Sequence, residues 1–389
     1  MLLQRGYESE SLKVYMRLTA LLVDLICLFP PVYLISNHFQ RQIPQLFLLI
    51  FLLKPDSILI DHGHFQYNSL ILGLILTSFY CLFKQYWYMT CFFFTIAIHS
   101  KQMAVYYALA FLAGLIGMTF SHYRYNRLKF FGEIIKYAFI VVGVSLILWA
   151  PWFGSIENLQ SVVTAIFPVH RGLYQLKVPN FWCISDIIFN WESLFSKSTL
   201  VILCFLSSSL LSLPSMFSMI LNPTKKSFIL GFATISMTFF MFSYHVHEKS
   251  ILLPLLMMPL VAEVVGEWLT HELILAGCFG LFHLLREDGQ EFGYFGIVGL
   301  YFIFSTSYTI LREKVQETEA DEMTLDWHRK LYENKLCRLL FVVLAVLLHI
   351  LALTVTPPSK LPYLWHLLFA FLSFLFNFYF LLLGNLLHL

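Results

Sequence analysis

Charge is what this sequence has least of. Asp, Glu, Lys and Arg make up 12% of its 389 residues, against about 25% in a soluble domain, which excludes a water-soluble globular enzyme. A net charge of +2 gives no footprint for nucleic acid. Cys-x-x-Cys is absent, and of seven cysteines all but Cys183 lie inside apolar segments. That excludes a disulfide framework and a thiolate zinc site. Asn-x-Ser/Thr acceptors are missing as well, because Asn222-Pro223-Thr224 is blocked by its proline. The first residues, Met1–Arg17, carry Gln4, Arg5, Glu8, Glu10, Lys13 and Arg17 with no apolar run behind a basic start, so they form no signal peptide.

What is present is apolar: 59% hydrophobic and 17% aromatic residues, with mean hydropathy +0.73. An all-α polytopic membrane protein follows. With about 20 apolar residues needed per crossing, about thirteen spans fit the pattern. They lie near 15–36, 43–60, 68–83, 86–98, 104–120, 134–153, 198–221, 227–243, 250–267, 271–285, 293–311, 337–355 and 363–388. Basic short loops face the cytosol; these are Lys84, the Arg124/Arg127/Lys129 loop, the Lys225/Lys226 loop and the charged connector 312–336. The opposite face then receives Met1–Val14, Asp61–Asn68, His99–Met103, the long loop 154–197, His245–Lys249, Arg286–Phe292 and Thr356–Pro362. The polar motifs all fall on that face, within what reads as one domain over 1–389.

Asp61–Asn68 (Asp-His-Gly-His-Phe-Gln-Tyr-Asn) stands at the mouth of an apolar helix. Each ionisable group costs roughly 2.5–3.5 kcal/mol at a membrane centre, and much less at its surface, so the cluster asks for water, ligand or partner. His245-Val246-His247-Glu248-Lys249 opens another helix. Histidines at i and i+2 cannot share a helical face, which places them on an extended lead-in. Cations at a helix start suit an anion; an interfacial anchor with a snorkelling lysine is the plainer alternative. The two His-x-His pairs, His62/His64 and His245/His247, lack the carboxylate pattern that would favour a metal. In 154–197, Arg171 and Lys177 suit phosphate, while Tyr174, Phe181 and Trp182 suit a sugar ring or a lipid interface. Lys101 in His99–Met103 is the weakest of these signals.

Taken together the blocks resemble the endoplasmic-reticulum dolichyl-phosphate-glucose-dependent glucosyltransferases of the GT-C fold class. They are Arg5–Ser9 (RGYES), Asp61–Asn68 (DHGHFQYN), Lys101–Met103 (KQM), Phe167–Cys183 (FPVHRGLYQLKVPNFWC), His245–Leu253 (HVHEKSILL) and Thr356–Pro362 (TPPSKLP). Lys-Gln-Met and the Asn-Phe-Trp-Cys run resemble the member that adds the first glucose. The resemblance implies an inverting α-1,3 transfer on the luminal face of the endoplasmic-reticulum membrane. The donor would be dolichyl-phosphate-glucose and the acceptor a nine-mannose dolichyl-diphosphate oligosaccharide. Membrane lipid is the surrounding partner, and no cofactor or metal is implied. It assigns Lys101, Arg171, Lys177, His245, His247 and Lys249 to donor phosphate and glucose. Asp61, His62, His64, Gln66, Tyr67 and Trp182 are assigned to the acceptor or pocket.

Two departures accompany it. The family's presumed base and first helix lie upstream of RGYES, so 1–14 reads as the remnant of a first luminal loop. The chain is expected to be a fragment, a truncated isoform or a mis-started gene model, inactive as written, with Asp61 or Glu248 as fallback bases. Gln175 and Leu176 replace an acidic pair. The competing functions are a lipid-sugar-binding relative, the second-glucose transferase of the same family, and a transporter. A transporter would show repeats and a midplane site, and no repeat stands out.

Overall fold

A computed structural model describes residues 9–39, 44–166, 172–174, 177–317 and 335–388. Among these residues the chain is almost wholly helical; its one isolated β-bridge joins Tyr174 to Val246. Among the described residues six helices are long and apolar enough to cross a membrane: Glu10–Phe39, Gln102–His122, Arg127–Trp152, Lys197–Leu221, Glu291–Arg312 and Leu364–His388. Asn68–Phe83 and Leu339–Thr354 are apolar but shorter.

Three of the anticipated spans are not continuous helices: 271–285 breaks at Leu281 between Glu267–Gly280 and Phe282–Glu287, and in the other two the reason is local. Segment 43–60 divides into Pro44–Leu52, Pro55–Ile58 and a π-turn at Leu59–Gly63. Pro55 has no N–H to continue the ladder. Beside it, Lys54 and Asp56 are 1% and 0% exposed and pair at 3.2 Å. A buried pair of that kind is costly unless protein surrounds it, so this stretch belongs to the interior rather than to lipid. Segment 250–267 divides likewise into Leu252–Leu256 and Met258–Val265, carrying Pro254 and Pro259. It ends at Gly266, whose φ of 96° an L side chain rarely adopts.

The centre of the fold is Lys225–Phe242. Of its 18 residues, 15 are buried, as expected for a helix apolar all round. Phe232 meets Phe79 at 4.9 Å and Phe111 at 4.8 Å between ring centroids. At the other extreme, Arg127–Trp149 buries only Tyr137, so its apolar surface faces outward. One close crossing positions the polar end of the molecule. Gly73 sits so near the Cys27 carbonyl that a Cβ there would lie 2.0 Å from the oxygen. Helix Asn68–Phe83 therefore packs directly on the π-turn Asp24–Leu28 of the first long helix.

Segment 154–197 is more helical than a loop, with Ile156–Ile166, Phe181–Phe189 and Trp191–Leu194 among its described residues. The connector 312–336 lies largely outside the described residues, as does RGYES apart from Ser9. Ser9 caps the first helix by accepting from the Leu12 N–H at 3.1 Å.

Candidate active site

The start of helix Asn68–Phe83 needs hydrogen-bond acceptors for its free N–H groups, and Asp61 supplies them. Its Oδ2 accepts from the Ser69 N–H at 2.7 Å and the Ser69 hydroxyl at 2.8 Å, and its Oδ1 from the Asn68 amide at 2.7 Å. Asp61 is 1% exposed. Burial pushes its carboxyl above the ordinary range while the Ser69 and Asn68 bonds pull it back. Asn68 and Gln66 pass the network outward: their side-chain oxygens accept from Lys101 Nζ at 2.5 and 3.2 Å. Burial lowers the Lys101 ammonium's affinity for its proton, opposed by Asp61 and reinforced by Lys249.

The two histidines of this stretch point to different carboxylates. His62 Nε2 donates to Asp24 Oδ2 at 2.6 Å, joining the two π-turns. That hydrogen bond holds the His62 imidazole above its usual pKa, against the effect of burial. His64 Nδ1 bonds Asp288, while Nε2 meets Lys249 Nζ at 3.0 Å. An ammonium only donates, so Nε2 accepts and Nδ1–H donates to the carboxylate. His64 is thus neutral, in one tautomer, between Asp288 and Lys249. Tyr67 turns aside to Thr19, with their hydroxyls 2.9 Å apart.

His245–Lys249 holds a non-helical lead-in at His245–His247, in which His247 is extended and His245 left-handed, followed by the turn Glu248–Ile251. His245 has φ 56°, its N–H donates to the Leu173 carbonyl at 2.8 Å, and its Nδ1–H donates to Gly172 O at 2.9 Å. Val246 forms the bridge with Tyr174. His247 is extended and caps the turn Glu248–Ile251, its Nδ1 accepting a long bond from the Lys249 N–H at 3.4 Å. Burial holds its imidazole neutral, down to about 3, with the Lys249 ammonium adding repulsion. Burial also lowers Lys249, opposed by Asp288 and Glu248. Glu248 is 4% exposed. The Lys177 N–H bonds it, its Oε2 has no partner, and burial pushes its carboxyl up to about 8.

Lys177 lies 5.9 Å from the Tyr363 ring centre. Trp182 is placed in a small core with Leu173, Leu200 and Cys204, its indole N–H donating to Phe242 O at 2.9 Å. It packs rather than lining an open pocket. Arg171 lies outside the described residues. Among the described residues no group of three or more His, Cys, Asp and Glu is arranged for a metal ion.

Asp61, Gln66 and Lys101 are joined by hydrogen bonds through Asn68, and His64, His247 and Lys249 by others, and the two groups lie close enough in one cluster for the Lys249 charge to act on Lys101. Two residues that complete it carry no motif of their own. Asp24 is signalled only by being a lone acid inside the apolar run 15–36, the type of residue that marks function in a membrane helix. Asp288 is signalled only by its place in Arg286–Phe292.

The model of the ALG6, ALG8 glycosyltransferase family matches residues 1–383. A "probable dolichyl pyrophosphate Man9GlcNAc2 alpha-1,3-glucosyltransferase" of Arabidopsis thaliana is 33% identical over 385 residues, covering 96% of this chain and 70% of the relative. The Dictyostelium discoideum protein of the same description is 34% identical, over 97% and 76%. The "dolichyl pyrophosphate Man9GlcNAc2 alpha-1,3-glucosyltransferase" of Saccharomyces cerevisiae is 30% identical, over 95% and 72%.

Proposed function

The chain belongs to the ALG6, ALG8 glycosyltransferase family, and from that premise we propose that it is a membrane α-1,3-glucosyltransferase acting on a Man9GlcNAc2 dolichyl-diphosphate acceptor. The donor is dolichyl-phosphate-glucose, the fold is of the GT-C class with about thirteen membrane passages, and the site faces the lumen of the endoplasmic reticulum. The observation that carries this reading is the convergence of Lys249, Lys101, His64 and His247 at one end of the helices.

In an inverting transfer, an acceptor hydroxyl oxygen attacks the anomeric carbon from the face opposite the phosphate. The glycosidic C–O bond breaks, phosphate leaves with the electron pair, and the hydroxyl proton passes to a base. Negative charge then grows on the departing phosphate, and fixed cations there lower the barrier. Lys249, oriented by His64, is the principal cation, and Lys101 the second. His247 contributes a neutral ring whose Nε2–H can donate, because its Nδ1 accepts. Arg171, Lys177 and His245 complete the donor set. Asp61, His62, Gln66 and Tyr67 shape the acceptor side. Of the two carboxylates considered as base, only Glu248 has a free oxygen, and its burial favours the protonated form. No base is therefore assigned among the described residues.

The test is complementation of cells lacking the first-glucose transferase, with the lipid-linked oligosaccharides analysed by mass. Appearance of a species one hexose heavier than the nine-mannose precursor, dependent on dolichyl-phosphate-glucose synthesis, would establish the transferase and overturn the inactivity expected from the sequence. Transfer that persists without that donor would refute the assignment.

A further inference from the structure

A cavity opens beside the cluster, outside every residue assigned above. It holds about 390 Å³ between Phe282–Glu287 and segment 352–366, within the range of about 300–1,000 Å³ typical of small-ligand pockets. Its walls are chemically mixed. Arg286 and Glu287 supply a cation and a carboxylate; Trp365 and the prolines Pro357 and Pro362 supply rigid apolar surface. Trp365 is locked in place by donating its indole N–H to Val355 O at 2.9 Å, and Arg286 by donating to Ala352 O at 2.8 Å. His283 and His366 stack in the wall, ring centres 3.8 Å apart at 19°. His283 is 7% exposed, and both His283 Nε2 and His366 Nδ1 are without a hydrogen-bond partner.

We propose that this cavity is a subsite for a hexose of the acceptor glycan, remote from the mannose that receives glucose. The inference rests on the transferase reading above. A hexose ring presents C–H groups to an aromatic wall and adjacent hydroxyls to planar groups that donate and accept together. Trp365 offers the first, and Arg286, Glu287 and His366 the second. A free phosphate fits less well, because Glu287 stands among the donors. The place in the fold also favours the acceptor. Residue 287 adjoins Asp288, which orients His64 and through it Lys249. The cavity therefore sits one residue from the donor cluster without being part of it. The donor carries a single sugar, which must occupy the reacting position, whereas the acceptor has many other hexoses to hold. Binding energy from such remote sugars can position the reacting hydroxyl.

The experiment measures equilibrium binding of a fluorescent, lipid-free nine-mannose oligosaccharide to the detergent-purified chain, with Glu287→Gln and Trp365→Phe beside it. Glu287 has a side chain 62% exposed, so its variant should fold. Loss of a hydrogen bond to a charged group is expected to weaken binding about 10-fold, with an equal rise in acceptor KM and an unmoved donor KM. Absence of oligosaccharide binding to the parent chain overturns the proposal. So does affinity within about two-fold of the parent for both variants, or displacement by inorganic phosphate instead of mannose oligosaccharide. A chain that binds the probe here but transfers no glucose removes the transferase reading and keeps the subsite. Transfer with variants of unchanged acceptor KM keeps the transferase and removes the subsite.

Discussion

Asp61–Asn68 and His245–Lys249 both interrupt apolar sequence with ionisable side chains, yet they use them differently. In the first, both oxygens of Asp61 are bonded to Ser69 and Asn68, and Asn68 and Gln66 go on to Lys101. Much of that polarity serves to start a helix. In the second, Glu248 retains a free oxygen, and Lys249 is pinned by a neutral imidazole that leaves its charge uncancelled. A polar cluster at a helix mouth can thus be scaffold or site, and what separates them is how many lone pairs and protons the fold has already satisfied.

The largest expected effect is on the second stretch. Lys249→Ala should lower kcat/KM for glucose transfer by about 100–1,000-fold, the usual cost of one transition-state charge partner, with little change in unfolding temperature. A loss of less than about ten-fold in the microsomal assay would break the comparison. Asp61→Ala should do the reverse. It orphans the Ser69 N–H and hydroxyl and the Asn68 amide, at roughly 1–3 kcal/mol for a buried group left unsatisfied. Thermal unfolding in detergent should fall clearly, while the folded fraction keeps its donor KM. A mutant of normal stability and no activity would instead return Asp61 to the chemistry.

Asp288→Asn sharpens the boundary between the two stretches. Without the carboxylate the Nδ1–H of His64 is no longer favoured, and Lys249 loses its fixed acceptor. Donor KM should rise on the order of 10-fold, as for a lost charge-assisted hydrogen bond, with acceptor KM and unfolding temperature unmoved. An equal rise in both KM values would show that Asp288 merely holds the loop.

The smallest effect is in pH. Glu248 is raised from 4.5 to about 8, so the folded state holds a proton the unfolded state has lost. Stability therefore declines as pH rises through that window, and Glu248→Gln should flatten the decline. His247 is lowered from 6.5 to about 3. The unfolded chain takes up a proton first, so stability is lost as pH falls below 6.5, and His247→Gln should blunt that limb. Unfolding temperatures measured across pH 4–9 (roughly the range those shifts span) check both. A Glu248→Gln profile that superimposes on the parent's would remove the buried-acid account.

Apolar runs are properties of neighbours along the chain, so the sequence by itself determined that this is a helical membrane protein. It also located the polar interruptions, and the spacing of His245 and His247 kept the pair off one helical face. The broken segment 43–60 was partly legible, since Pro55 with Lys54 and Asp56 contradicts a lipid-facing helix. Partnership was not legible. Asp288 lies 224 positions from His64, and Lys249 lies 185 from it. A hydrogen bond acts only over about 3 Å and in a set direction. Which distant carboxylate falls inside that reach depends on how the helices pack, including the approach of Gly73 to Cys27. Tertiary structure alone therefore decided that Asp61 starts a helix, that Trp182 fills a core, and that His64 holds Lys249.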